Sequence, residues 1–207
     1  WGIDGQHLLD EWGFSAGIDS AGKWDAVNSG RKEPKDPYMY YLDTNELRET
    51  HIQDFLKRRE VKKGTFPTPL PDHAYCDNWI GQNGMDLLND APDDKPWFLQ
   101  INFTGPHEPF DITNSMVPLY NDTEFPQPVH STQFTPEKHI AIRQNYAAMI
   151  ENIDYWLGLF IQELKRRNEL ENTIIVFSSD HGEMLGDHNR WGKTVPYHPS
   201  VGIPLTV

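Results

Sequence analysis

Thr173-Ile174-Ile175-Val176-Phe177-Ser178-Ser179-Asp180-His181-Gly182 is the stretch whose reading decides the fold. A run rich in β-branched and aromatic residues, closed by serines, has the pattern of a buried strand. It stops at an acid, an imidazole and a glycine. In an open α/β sheet, ligands gather outside the carboxyl ends of the strands. Asp180 and His181 are therefore candidate metal ligands, because a carboxylate suits calcium or magnesium and an imidazole can complete a mixed site. Gly182 lets the backbone turn sharply beneath a ligand. The competing account is a strand-ending turn whose aspartate accepts bonds from local amides.

Upstream, Thr135 and Pro136 have the types of an N-cap and a first helical residue. Tyr146, Met149, Ile150, Ile153, Leu157, Phe160, Ile161 and Leu164 then recur at three- and four-residue steps, which predicts a long helix. Lys165, Arg166 and Arg167 suit its negative end. Before it, 96–103 (Pro-Trp-Phe-Leu-Gln-Ile-Asn-Phe) is a second strand candidate, and 108–134 is proline-rich and irregular. Strand, helix and strand make a β–α–β unit with parallel strands. Both loops would then leave the same sheet edge, bringing His107 to Asp180 and His181. The fold class expected is α/β.

His107 lies in Thr104-Gly-Pro-His-Glu-Pro-Phe110, where two prolines stiffen the loop around an imidazole that can donate a proton or hold an anion. Lys193 follows the metal motif closely enough to fold back over it and hold a substrate oxygen. Asp187, His188, Arg190 and Trp191 are candidates to line the same pocket. The alternative for each is a solvated polar loop. Cys76 fails as a nucleophile, because Asp77 beside it would raise the thiol pKa. Asn102-Phe-Thr and Asn121-Asp-Thr are chance glycosylation triplets, the first in an expected buried strand.

Towards the start, 1–45 lacks a sustained period and is expected to form loops and short turns. Helices are expected over 45–63 and 72–89, although Gly81 and Gly84 sit inside the second. The division is thus 1–94, loops and helices, and 95–207, the β–α–β part with the histidine loop and the metal-ligand strand. The 207 residues suffice for one domain with a core. Eighteen basic against 31 acidic side chains give −13, which argues against nonspecific nucleic-acid binding. One cysteine excludes an intrachain disulfide and a cysteine zinc cluster. No apolar run is long enough to span a membrane. The sequence begins at Trp1 and stops at 201–207, itself like the start of a strand, so it is expected to be a piece of a longer protein.

The residues carry a resemblance. Lys95–Phe110 resembles the strand and histidine loop of the sulfatases, in the alkaline phosphatase superfamily; Glu171–His188 resembles their second metal-binding strand. Trp191-Gly-Lys193, Pro196-Tyr197 and 201–205 continue the pattern. The resemblance implies a partial sulfatase catalytic domain with a mixed, mainly parallel sheet flanked by helices. It implies that Asp180 and His181 bind a divalent cation, calcium before magnesium. It implies that His107 and Lys193 are catalytic and contact a small-molecule or glycan sulfate ester, with His188 beside them, and that the compartment is periplasmic or secreted. Oligomeric state stays open. The family's nucleophile is a formylglycine made from Cys or Ser in Cys/Ser-x-Pro/Ala-x-Arg. Cys76-Asp-Asn-Trp-Ile80 is not that motif and no serine begins one, so the nucleophile is expected in an absent N-terminal segment and the piece alone is expected to be inactive. Gly22-Lys23-Trp24 resembles the family's Gly-Lys-Trp-His element, with Asp25 in place of the histidine. A phosphodiesterase or phosphonate monoester hydrolase of the same superfamily, or a noncatalytic binding domain, are the alternatives.

Overall fold

The structure, a computed structural model, describes residues 11–29 and 36–207. Part of the 1–45 segment expected to be loops therefore lies outside the described residues. The rest of it holds two helices, α1 (Lys23–Ser29) and α2 (Pro37–Thr44). The signal for α2 was present: Asp36 precedes a proline and caps the helix, accepting from Met39 N at 2.9 Å. The same carboxylate accepts from Ser20 Oγ and Ala21 N, so it also ties the preceding loop to the helix. Helix α3 (Arg48–Glu60) packs on both, and Ala26, Val27, Tyr38, Leu42 and Phe55 close a first core.

Helix α4 (Cys76–Asn89) and the 31-residue α6 (Pro136–Arg166) form the central pair. Thr135 caps α6 by accepting from Lys138 N, with Pro136 at the first position, as the sequence implied. The internal glycines of α4 permit close approach. A Cβ on Gly81 would stand 2.1 Å from the Trp156 ring, and one on Gly84 2.8 Å from Ile101 Cδ1. Between these helices run short α5 (Val117–Tyr120) and an otherwise irregular 108–134.

The mainly parallel sheet expected from the sequence is not formed. Among the described residues the only strand pair is β1 (Phe177–Ser178) with β2 (Leu205–Thr206), two residues each and antiparallel. Segments 97–103 and 173–176 have no ladder. Their alternation is nonetheless strand-like. Trp97, Leu99, Ile101, Phe103 and Ile175 pack against Leu88, Trp156, Phe160 and Leu164, while Phe98, Ile174 and Val176 face outward, exposed. A strand needs hydrogen-bonded partners on its flanks as well as an apolar pattern, and among the described residues these segments form no such pairing. Asn102, expected to be buried, is exposed on that outward side.

A buried charge group links the two halves. Lys23 Nζ, at the start of α1, lies 2.9 Å from Asp111 Oδ1, with both side chains almost fully enclosed. Tyr75 donates to the Asp111 carbonyl, and its ring lies 5.4 Å from the ammonium. Burial works against the charged lysine, but Asp111 first, then Asp77 and Cys76, hold its pKa above the usual value. Lys23 thus serves the core.

Candidate functional site

The histidine loop is built from the start of α4. Asp77, in the first turn, is completely buried. Its Oδ1 accepts from Thr104 N at 2.8 Å, Thr104 Oγ1 at 2.9 Å and Gly105 N at 3.0 Å. A Cβ on Gly105 would meet Asp77 Oδ2 at 2.4 Å, so only glycine fits there. Further along the loop, Lys63 pairs with Glu108 and lies over the Trp191 ring. Asn145 of α6 donates to the Phe110 carbonyl at 2.7 Å. The loop is therefore pinned on both sides of His107, while His107 itself stays exposed.

The second loop is organised by Glu183, whose Oε1 accepts from Leu185 N and Gly192 N. Met184 N also donates to the Gly192 carbonyl, so 184–192 closes on itself and delivers Lys193 at its end. Stacking of Trp191 on His139 of α6, 5.8 Å apart and 3° from parallel, fixes the loop against the helix.

Of the eight sequence candidates, four converge: His107, Lys193, Asp180 and His181. Lys193 Nζ lies 3.1 Å from His107 Nε2. The His107 and His181 rings are 6.3 Å apart, and His181 Nε2 lies 3.7 Å from Asp180 Oδ1. The juxtaposition expected from parallel strands is reached through segments that share no ladder. The tautomers follow from the partners. His107 Nδ1 sits 2.6 Å from the Glu108 carbonyl and so carries the proton, leaving Nε2 to accept from the ammonium. His181 Nδ1 likewise donates to the Gly182 carbonyl at 2.7 Å, leaving its Nε2 lone pair towards Asp180. His188 is placed elsewhere: it is exposed, in left-handed backbone, with its ring against His130 and Tyr197.

Gly182 acts through close approach. Its N–H donates to the Ser200 carbonyl, and a Cβ would stand 2.0 Å from the Pro199 carbonyl oxygen at the start of α7 (His198–Val201). Gly182→Ala is expected to cost about 1–3 kcal/mol by forcing backbone apart. Urea unfolding would measure it, and an unchanged midpoint would show that the 199–202 segment moves aside freely.

For a divalent cation, Asp180 and His181 supply an exposed carboxylate and an imidazole with its second nitrogen already engaged, which is how a ligating histidine is oriented. They fit as two ligands of such an ion. Among the described residues no group of three or more acidic, His or Cys side chains is gathered for a metal. Cys76 is buried, and burial first, then Asp77, pushes its thiol well above the usual range, so it is no nucleophile. Sequence reasoning missed Asp77, Glu108 and Glu183 as the residues that set the loops; all three act through backbone amides or a distant lysine, which no local motif advertises.

The sulfatase family model matches residues 4–207. The chain belongs to the sulfatase family. An arylsulfatase of Clostridium perfringens is 31% identical over 83% of this chain and 44% of that protein. A choline-sulfatase of Rhizobium meliloti is 31% identical over 58% of this chain and 28% of that protein. The chain thus spans less than half the length of these curated relatives. Among solved structures, the phosphonate monoester hydrolase of Agrobacterium radiobacter matches with a TM-score of 0.65 at 20% identity, over 81% of this chain and 40% of that one. At that identity the likeness speaks for the fold alone. No helix of the described residues is long and apolar enough to cross a membrane.

Proposed function

We propose that this sulfatase-family chain forms the imidazole–ammonium and metal-ligand side of the active site of a sulfuric ester hydrolase. The observation that carries it is the 3.1 Å approach of Lys193 to His107 from loops 86 residues apart, beside His181. Lys193 and His107 bind oxygens of the sulfate group of a small-molecule or glycan ester, aimed where negative charge develops. When the anionic ester takes the Lys193 ammonium from its contact with Nε2, His107 takes up a proton at that nitrogen and gives it to the bridging oxygen as the ester bond breaks, so the alcohol leaves uncharged. Asp77 and Gly105 hold the loop that aims this imidazole. His188, with Tyr197, is an outer contact for the substrate beyond the sulfate.

Asp180 and His181 would hold the divalent cation, calcium before magnesium, which supplies positive charge to the anionic ester when bound. The nucleophile, a formylglycine, is assigned to a part of the protein outside these 207 residues, since no Cys/Ser-x-Pro/Ala-x-Arg occurs within them. The periplasm or the exterior is the proposed compartment. Phosphonate or phosphodiester hydrolysis is the second reading, because the same fold serves a phosphonate monoester hydrolase.

The test is hydrolysis of an aryl sulfate, with an aryl phosphate as comparator, by the protein that carries this chain, calcium present. His107→Ala is expected to lower kcat/KM about 100-fold with the circular dichroism unchanged. Asp180→Ala is expected to lower calcium content and rate together. Faster cleavage of the phosphate would move the assignment to the second reading. An Asp180→Ala protein with unaltered calcium and rate would remove Asp180 from the site.

A further inference from the structure

One ammonium touches both loops of the candidate site. Lys63, just beyond the end of α3, pairs its Nζ with the Glu108 carboxylate. The same Nζ stands 4.8 Å from the centre of the Trp191 ring and 5.7 Å from that of Phe110, inside the reach of about 6 Å over which a cation is attracted to an aromatic face. Glu108 is the neighbour of His107, and its carbonyl accepts from His107 Nδ1. Trp191 precedes Lys193 in the other loop, with Gly192 between them. The Lys63 side chain is 14% exposed, so these contacts are made largely out of water, where they are stronger.

We propose that Lys63 is a positioning residue: it holds the histidine loop and the lysine loop at one spacing and so sets the separation of His107 from Lys193. Its backbone is left-handed, with a φ of 53°. A residue with a Cβ rarely adopts that conformation; it persists where the surroundings over-determine it, and such outliers gather at functional sites. The turn after α3 supplies those surroundings. Arg58, buried and paired with Asp54, donates to the Phe66 carbonyl at 2.8 Å. Asn145 of α6 donates to the Thr65 carbonyl at 3.2 Å as well as to that of Phe110. The turn that carries Lys63 is thus tied to α3 and to α6 by bonds that involve neither His107 nor Lys193.

Asp77 anchors one loop to α4 and His139 anchors the other to α6, whereas Lys63 is in contact with both loops. The bond between Lys193 and His107 also joins them. A substrate anion that draws the Lys193 ammonium away breaks that bond, so it does not keep the spacing during the reaction. Lys63 does so from behind. Through Glu108 it fixes the residue whose carbonyl orients the His107 ring, and through Trp191 it fixes the end of the 184–192 loop. Paired with Glu108, it adds no net charge to the site, which separates its role from that of Lys193. The effect on catalysis rests on the sulfuric ester hydrolase reading above; the coupling of the two loops does not.

The experiment compares Lys63→Met and Lys63→Arg in the protein that carries this chain, labelled at histidine and tryptophan for proton–nitrogen correlation spectra. Methionine keeps an apolar stem against the rings but loses the ion pair and the cation–π contact, and arginine can make both. Lys63→Met is expected to shift the His107 ring signals and the Trp191 indole signal together and to leave the Trp79 and Trp156 indoles of the cores unmoved; Lys63→Arg is expected to return both. In aryl sulfate hydrolysis Lys63→Met should lower kcat about ten-fold with KM within about two-fold, because misaligning a group that acts in the transition state falls on kcat. Lys63→Arg should recover most of that loss. Glu108→Gln weakens the arm to the histidine loop alone, so it should shift His107 and spare Trp191, and it decides the matter where Lys63→Met does not fold. Signals that move in one loop only or in neither for Lys63→Met, no recovery in Lys63→Arg, a loss confined to KM, or an unmoved His107 in Glu108→Gln would each overturn the proposal. Absence of turnover by the unaltered protein would overturn the hydrolase reading instead, and the spectra would still decide the coupling.

Discussion

Lys23→Met is expected to lose about 3–5 kcal/mol of folding stability, the usual result of deleting one partner of a buried ion pair. The methionine fills most of the lysine's volume, so the loss does not come from a cavity. It comes from the Asp111 carboxylate, whose side chain is 4% exposed and would be left without its counter-ion. Asp77 lies in the same buried group, and without the ammonium two carboxylates would share a low-dielectric space. Against a total of about 5–15 kcal/mol for an ordinary domain, this is about a fifth of the margin or more. Urea unfolding of the single variant and of Lys23→Met with Asp111→Leu separates the causes. The double variant should recover most of the loss, since an apolar pair of similar volume is often as stable as the ion pair. A single variant within about 1 kcal/mol of the original would mean that water reaches Asp111 and that the pair is not sealed.

Helix α6 was legible because everything that makes it is local. Thr135 and Pro136 start it, and an apolar stripe at helical spacing tells which face is buried. The strand readings at 97–103 and 173–178 captured the alternation of side chains but not the ladder. Alternation is written in the segment itself, whereas a ladder belongs to whichever chain lies beside it. The continuous apolar run also implied burial on both faces, yet Ile174 and Val176 are exposed. Helices α1 and α2 were missed because they are short, and their stability comes from the shared core around Phe55 rather than from propensity.

The site was legible in its exposed, chemically unusual members. His107 between prolines, Asp180-His181 at the end of an apolar run and Lys193 after a glycine all stand out by type and spacing. What positions them did not stand out. Glu183 acts on two amides two and nine residues away, and Asp77 acts on amides 27 and 28 residues away. Both look in sequence like ordinary surface acids, and Asp77 also looks like a simple complement to the helix dipole. Burial turns such an acid into an anchor, and burial is a property of the assembled fold.

Asp77→Ala is accordingly expected to be the most damaging single change near the site. One carboxylate oxygen receives three hydrogen bonds, each worth about 1.5–3 kcal/mol when the acceptor is charged. These bonds are cooperative and share one acceptor, so the net loss is set at about 4 kcal/mol rather than their sum. Two backbone N–H groups at Thr104 and Gly105 lose their acceptor. His107 should then lose its fixed separation from Lys193. Asp77→Asn distinguishes anchoring from charge. It keeps an oxygen where Oδ1 accepts, but puts an amide donor where Oδ2 now stands without a partner, against Gly105. The asparagine variant should therefore lose about 1–3 kcal/mol, the penalty of one unsatisfied buried donor, and keep the loop in place. Unfolding midpoints give the stability difference, and the His107 imidazole signals, compared with those of the unaltered chain, report the loop. If Asp77→Ala unfolds no more easily and leaves those signals unshifted, the histidine is held by Lys63–Glu108 and the Asn145 bond to Phe110, and the carboxylate beneath it is not the anchor.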